Sequence, residues 1–201
     1  MSWINTISYP ESTGELRQLY DKLKGPGDNV DNIMLAHSLR PHSMVGHMAL
    51  YKNVLHHRGN TIPKWFLEAI GVYTSLLNRC AYCVEHHSAG LARLLRDSSR
   101  SEAIRSALEN EDLPAAFDAA QVAALAHVAK LTRKPAEVEA GDIAALRAAG
   151  WDDGQILEIN QVTSYFNYAN RTVLGLGVST EGDELGLSPS DSENPDNWSH
   201  R

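Results

Sequence analysis

Both cysteines of the chain and two of its nine histidines fall within nine residues, "RCAYCVEHH", at positions 79 to 87. Such a set can serve as a dithiol/disulfide couple, as a metal site, or as two buried thiols with no chemistry. A structural zinc site needs four ligands, and a catalytic one needs three plus water. Cys80, Cys83 and His87 offer three, but there is no second Cys-x-x-Cys. His37, His42, His47, His56, His57 and His127 are scattered without paired spacing. Neither a metal nor an organic cofactor is therefore expected. A redox couple asks for less: one thiolate to attack, one thiol to resolve, and a group to move protons.

A helix over about residues 80 to 96 would place Cys80, Cys83 and His87 within an arc of about 60°, with His87 projected between the sulfurs. The same face continues through Leu91 and Leu94, two expected core residues, so the cysteines should be half-buried at the helix N-terminus. Burial raises a thiol pKa, whereas the free N–H groups and dipole of a first turn stabilise a thiolate. His87, one turn beyond Cys83, can decide between them by accepting the thiol proton or by standing as imidazolium beside the sulfur. His86 projects roughly 100° away and ranks second, although it is within i,i+3 reach of Cys83. In "WFLEAIGVYTSLL", Glu68 is a carboxylate sharing a face with Trp65, Val72 and Ser75. A buried carboxylate needs a partner, and a helix folding back would let Glu68 hydrogen-bond His87 directly or through water.

The elements that must hold these residues read as all-α, because apolar residues recur at three-to-four spacing with almost no period-two alternation. Leu16, Leu19, Tyr20 and Leu23 mark one stripe, ended by Gly25-Pro26-Gly27. A second apolar segment follows near residues 30 to 39. Met44, Met48, Tyr51 and Leu55 mark a longer helix after Pro41. Pro63 suits the first turn of the Glu68 helix. Ser98, Ser99 and Ser101 offer caps for "EAIRSALEN", and the alanine-rich run from Leu113 ends at Lys134-Pro135. A short helix near residues 141 to 149 and a long one closed by glycine at 177 complete the order. From about Thr180 the text turns acidic and aperiodic, predicting a flexible tail (residues 180–201) or an arm that orders only on a partner. Residues 1 to 179 then form the single helical domain. Trp3 and Trp198 look like end-of-chain anchors.

With 201 residues, 43% of them hydrophobic, one core is expected. A formal charge of -7 without a basic run argues against nucleic acid, and no apolar stretch reaches membrane-span length. The start lacks the pattern of a secretory leader, so the protein is expected to be cytoplasmic, where a structural disulfide would be unusual.

Glu68, Cys80, Cys83 and His87, as Glu-x11-Cys-x-x-Cys-x3-His, resemble the motif of alkylhydroperoxidase D-like proteins in the carboxymuconolactone decarboxylase-like superfamily. "CAYC" followed by "HH", "ALRAAGWDD" and "YFNYANR" are similar to its peroxidase-related branch, over roughly residues 10 to 178. The resemblance implies an all-helical bundle that forms a homo-oligomer, a trimer or a hexamer. It implies a peroxidase reducing hydrogen peroxide or small organic hydroperoxides, reset by an external thiol or disulfide reductant. On that likeness Cys83 attacks the peroxide, Cys80 resolves, and His87 and Glu68 relay protons. Helix position alone favours the opposite order, since Cys80 lies nearer the positive helix end. Peroxidase-active members carry a histidine between the cysteines; here Tyr82 stands there, a hydrogen-bond relay but a poor base near neutral pH.

Tyr82 can equally pack at a helix interface or shape the site. Asn167, Asn170 and Arg171 form an i, i+3, i+4 polar stripe opposite Tyr165, Phe166 and Val173. That stripe either ties helices or subunits together, or lines the pocket and binds a polar substrate, with Arg171 meeting an oxygen. Two other functions stay open: cofactor-free decarboxylation or isomerisation, and a non-enzymatic redox-sensing or zinc-holding oligomer.

Overall fold

The structure, a computed structural model, describes residues 1 to 189, 194 and 197 to 200. Its helices follow the apolar stripes. They are α1 (Gly14–Leu23), α2 (Asn32–Leu35), α3 (Pro41–Leu55), α4 (Lys64–Leu77), α5 (Ala81–Leu95), α6 (Ser98–Glu109), α7 (Ala119–Arg133), α8 (Ala140–Ala148) and α9 (Asp153–Leu176). Short 3-10 turns occupy Pro26–Asp28, Leu113–Ala115 and Pro135–Glu137. The fold is all-α, as expected, with no strand among the described residues. Among those residues no helix is long and apolar enough to cross a membrane.

The helix α4 explains the arrangement. Every residue from Phe66 to Ser75 is buried, so it has no solvent face and must be surrounded. It packs against α3, α5, α6, α7 and α9. Gly71 permits the closest approach: a Cβ there would run into the Phe166 ring of α9. The stripes read from sequence are the buried ones, including Leu16, Leu19, Tyr20 and Leu23 of α1, and Met44, Met48, Tyr51 and Leu55 of α3.

Helix ends follow local chemistry. Capping boxes start α7 at Asp118/Gln121 and α9 at Asp152/Gln155, and Gly177 closes α9 in the left-handed conformation that favours glycine. The expected serine caps of α6 are corrected: Asp97 accepts from the Arg100 N–H, and the serines lie inside the helix. The alanine-rich run does not start at Leu113, because the Leu113–Ala115 turn separates it from Asp118.

The tail also differs from expectation where it is described. Residues 180 to 189 and 197 to 200 dock on their own chain. Trp198 joins the main core at 4% exposure, and His200 Nδ1 donates to the Leu23 carbonyl at 2.8 Å. Hydrogen bonds to Asp183 and the packing of Leu187 and Trp198 outweigh the polar composition that suggested a loose arm. The part of that expectation concerning residues 190 to 193, 195, 196 and 201 lies outside the described residues. At the other end Trp3 stays 79% exposed, pinned through its backbone N–H to the Leu176 carbonyl.

Candidate active site

The turn between α4 and α5 places the sulfurs. Arg79 adopts a positive φ of 57°, turning the chain so that Cys80 becomes the N-cap of α5. The Cys80 N–H donates back to the Ser75 carbonyl at 2.9 Å. Cys83 follows in the first turn, and the two sulfurs, both free thiols, lie 3.2 Å apart, close enough to share one S–H···S bond. They are more buried than the expected half, at 0% and 3% exposure. The cause is a small apolar cluster in which Ala36, Tyr82, Val173 and Val178 close over them. Leu91 is core as expected, but Leu94, in the last turn of α5, stays exposed at 39%.

The shared bond sets the acidity of the pair. Cys80 is lowered, first by the hydrogen bond from Cys83 and against the opposing effect of burial. The same bond, then burial, pushes Cys83 well above the usual thiol range. The pair therefore gives up one proton readily and the second with difficulty, and it titrates as a unit. From behind, the Asn170 amide favours the charged form of either sulfur.

The fold-back of α5 on α4 brings Glu68 to His87, and Glu68 Oε2 meets His87 Nδ1 at 2.7 Å. Burial alone would raise the Glu68 pKa, but the His87 charge and hydrogen bond together outweigh it and hold the group below the usual carboxylate range. The His87 ring is fixed edge-on by Phe166, with centroids 4.5 Å apart. No hydrogen bond joins His87 to either sulfur among the described residues. The ring and Cys83 instead share a cavity of about 50 Å³, whose wall also includes Glu68, Tyr51, Tyr165 and Met48. Cys80 is not part of that wall. Any small molecule in the cavity meets Cys83 first.

Sequence reasoning ranked His86 second, yet the structure brings it to the same cavity. Its Nε2 lies 3.1 Å from Asp183 Oδ2. Tyr82 donates its hydroxyl to the same oxygen at 2.7 Å, and the backbone N–H of Asn32 donates to both Asp183 oxygens at 3.0 and 3.1 Å. Burial first, then the Asp183 and Asp31 charges, raises Tyr82 well above the usual phenol range, so it acts as a donor and not as a base.

The polar stripe of α9 lies behind the sulfurs and outside the cavity wall. Asn170 Oδ1 and Asn167 Oδ1 accept from Asn78 at 2.9 and 3.0 Å, and Asn170 Nδ2 donates to Ser75 Oγ at 3.0 Å. Arg171 is exposed and donates to Asn167. The structure thus places Asn167 and Asn170 in a clamp between α4 and α9, with Arg171 bonded only within its own helix, and none of the three in the cavity wall. Only Asn170 reaches the sulfurs.

Several groups at the site carried no usable sequence signal. Asp183 sits in an acidic run, and nothing local distinguishes it from Glu181 or Glu184. Asp31 lines the cavity with its pKa raised to about 6, chiefly by burial. His47 and His200 line it as neutral bases, lowered to about 3 and about 4, chiefly by burial. Asn78 and Ser75 could have been suspected as partners of the α9 stripe only once α4 and α9 were known to touch. Among the described residues no group of three or more His, Cys, Asp or Glu is arranged to hold a metal ion.

No family model and no curated protein matches the chain. Solved structures do. The chain is similar to an alkylhydroperoxidase AhpD core, an uncharacterized peroxidase-related protein from Ralstonia eutropha, at 25% identity and a TM-score of 0.74, over 89% of this chain and 91% of that one. It is 30% identical to an uncharacterized peroxidase-related protein from a Silicibacter species, with a TM-score of 0.67 over 75% of this chain and 76% of that one. At 18% identity it shares its fold with a debrominase solved with 2,3,4-tribromopyrrole, with a TM-score of 0.66 over 90% and 95% of the two chains.

Proposed function

Because the chain belongs to the alkylhydroperoxidase D-like superfamily, we propose that it is a thiol-dependent peroxidase working through a Cys80–Cys83 dithiol/disulfide cycle. One observation carries this reading. Two free sulfurs lie 3.2 Å apart, and the outer one faces a small cavity shared with a buried carboxylate–imidazole pair.

In the first step the pair gives one proton to His87, and the negative charge rests on Cys83 as the remaining proton stays on Cys80. The Cys83 thiolate attacks the distal oxygen of R–O–O–H. The O–O bond breaks, an S–O bond forms, and RO⁻ takes a proton from His87 to leave as ROH. Cys83 is now a sulfenic acid. Cys80 loses its proton to the His87–Glu68 pair and attacks the Cys83 sulfur. The S–S bond forms, and hydroxide leaves with that proton as water. Two electrons have passed from the thiols to the peroxide. An external thiol reductant restores the pair by exchange. Glu68 orients the His87 ring through its contact with Nδ1, as a carboxylate does behind a catalytic histidine. Asn170 supports the charge on the sulfurs from the closed side. The assembly is proposed as a trimer or a hexamer, measurable by sedimentation.

The test is a thiol count. One equivalent of hydrogen peroxide should remove both free thiols from folded protein and form an intramolecular disulfide. If both thiols survive in folded protein, the reading fails. Turnover of a lactone by a doubly Cys→Ser variant would point instead to acid/base chemistry at Glu68 and His87.

A further inference from the structure

Part of the wall of the cavity over Cys83 comes from the chain's own C-terminal residues. Leu187, Ser188 and His200 form part of its wall. The segment is fixed at three points. At the first, Asp183, with a side chain only 2% exposed, accepts from Tyr82, His86 and the Asn32 backbone. At the second, the Asn32 side chain donates to the carbonyls of Ser179 and Glu181, both at 2.9 Å. At the third, Gly186 sits at φ 79° directly on α5, where an added Cβ would stand 2.9 Å from Ala89 atoms and 3.0 Å from the Gly90 nitrogen. Arg93 secures that seat by donating to the Gly186 carbonyl at 2.9 Å.

We propose that this segment is the specificity-determining roof of the dithiol site, restricting Cys83 to oxidants about the size of hydrogen peroxide. The proposal rests on the reading of Cys83 as the sulfur that meets peroxide. The size argument is direct. A cavity of about 50 Å³ holds a few water-sized groups, whereas an apolar cavity needs roughly 150 Å³ to take benzene. A hydroperoxide carrying an aryl group cannot sit beside Cys83 until Leu187 and its neighbours move. Displacing the segment removes one wall, and the three fixing points set how often that happens. Asp183 is a positioning residue in this scheme: it holds the roof to Tyr82 and His86 and need not touch the oxidant.

The experiment compares two thiol reagents, iodoacetamide and a fluorescein maleimide, and two oxidants, hydrogen peroxide and cumene hydroperoxide. Three full-length proteins are used: the wild type, Gly186→Ala and Asp183→Asn. Gly186→Ala strains the positive φ and pushes on the α5 backbone without altering any proposed reacting group. The wild type should alkylate far faster with iodoacetamide than with the maleimide and prefer hydrogen peroxide. In Gly186→Ala the maleimide-to-iodoacetamide rate ratio should rise on the order of tenfold, and cumene hydroperoxide should gain on hydrogen peroxide by a similar factor. Asp183→Asn should move both ratios in the same direction. Equal reactivity of the wild type toward both alkylating reagents would overturn the roof, as would unchanged alkylation ratios in both variants with native circular dichroism. If the alkylation ratios move while none of the three proteins reduces either peroxide, the roof stands and the peroxidase reading falls.

Discussion

His86 and His87 are adjacent in sequence and each meets one buried carboxylate, but the carboxylates belong to different kinds of structure. Glu68 stands on α4, the helix surrounded on every side, so the His87–Glu68 pair is as rigid as the core. Asp183 stands on the segment beyond α9, which among the described residues has no helix of its own and is held by hydrogen bonds and by the packing of Leu187 and Trp198, so the His86–Asp183 pair is only as firm as that segment's docking. On the proposed reading, the same pairing of imidazole and carboxylate suits two tasks. A relay must keep its geometry through every turnover, whereas a closure must be able to release. Local opening favours segments with few buried contacts.

The largest effect concerns the sulfurs that both pairs flank. Cys83→Ser should lower peroxide consumption by about a thousandfold or more, since the attacking atom is gone. Cys80→Ser should leave a sulfenic acid on Cys83 that a dimedone probe labels and mass spectrometry locates. Labelling in Cys83→Ser instead would place the attack at the enclosed sulfur and detach the cavity from the chemistry.

The next effect separates the two histidines. His87→Gln should lower kcat/KM for hydrogen peroxide by about a hundredfold, the usual scale of a positioned acid/base, and flatten its pH profile. Glu68→Gln should give a smaller loss with the same change of profile. His86→Gln should stay within about threefold on hydrogen peroxide, since it contacts the roof carboxylate and not the relay. Equal losses for His86→Gln and His87→Gln, measured by stopped-flow thiol oxidation, would erase the distinction.

Smaller again is the clamp behind the sulfurs. Asn170→Ala removes one hydrogen bond each from Asn78 and Ser75, which keep their bonds to Asn167 and the Gly71 carbonyl, and leaves a cavity where the buried amide stood. It should cost about 1–3 kcal/mol of stability by urea unfolding. Arg171→Ala, exposed and bonded only within its own helix, should cost less than about 0.5 kcal/mol.

The His87–Glu68 pair was legible in the sequence and the docking of Asp183 was not, for a physical reason. A carboxylate in an apolar helix must find a partner, and a histidine one turn beyond a cysteine on the next helix is within reach, so Glu68 and His87 could be paired in advance. The helices were legible likewise: burial writes a repeating stripe, and Gly177 ends α9 where a left-handed residue is needed. Asp183 has no such signature. Its partners stand 97, 101 and 151 positions away in sequence, so only the folded chain shows which acidic residue of the tail is enclosed. The α9 stripe failed for the same reason. Its polar residues were visible, but their side of the helix relative to the cavity depended on how α9 lies against α4.

The roof should also carry its own pH signature, the smallest effect of the series. His200, in the tail, is held at about 4 by burial, and His47, across the cavity, at about 3. Both stay neutral in the folded protein while the unfolded chain takes up protons near its ordinary value of about 6.5. Their stabilisation is therefore complete above that value and is lost as pH falls toward the folded-state values. Asp31 works against this. Its folded pKa, raised to about 6, favours the folded state as pH falls through that value. Glu68, lowered by His87, loses its contribution only at more acidic pH. Between about pH 7 and about pH 5 the histidines outnumber the one opposing carboxylate, so the urea midpoint should drop. In His200→Gln the drop should be shallower, because the glutamine can still donate to the Leu23 carbonyl but takes up no proton on unfolding. The maleimide-to-iodoacetamide labelling ratio of Cys83, in which the falling thiolate fraction cancels, should rise over the same window in the wild type and less so in the variant. An unchanged slope in His200→Gln would locate the acid sensitivity in the rigid half of the site, on the side of His47, and leave the roof indifferent to pH.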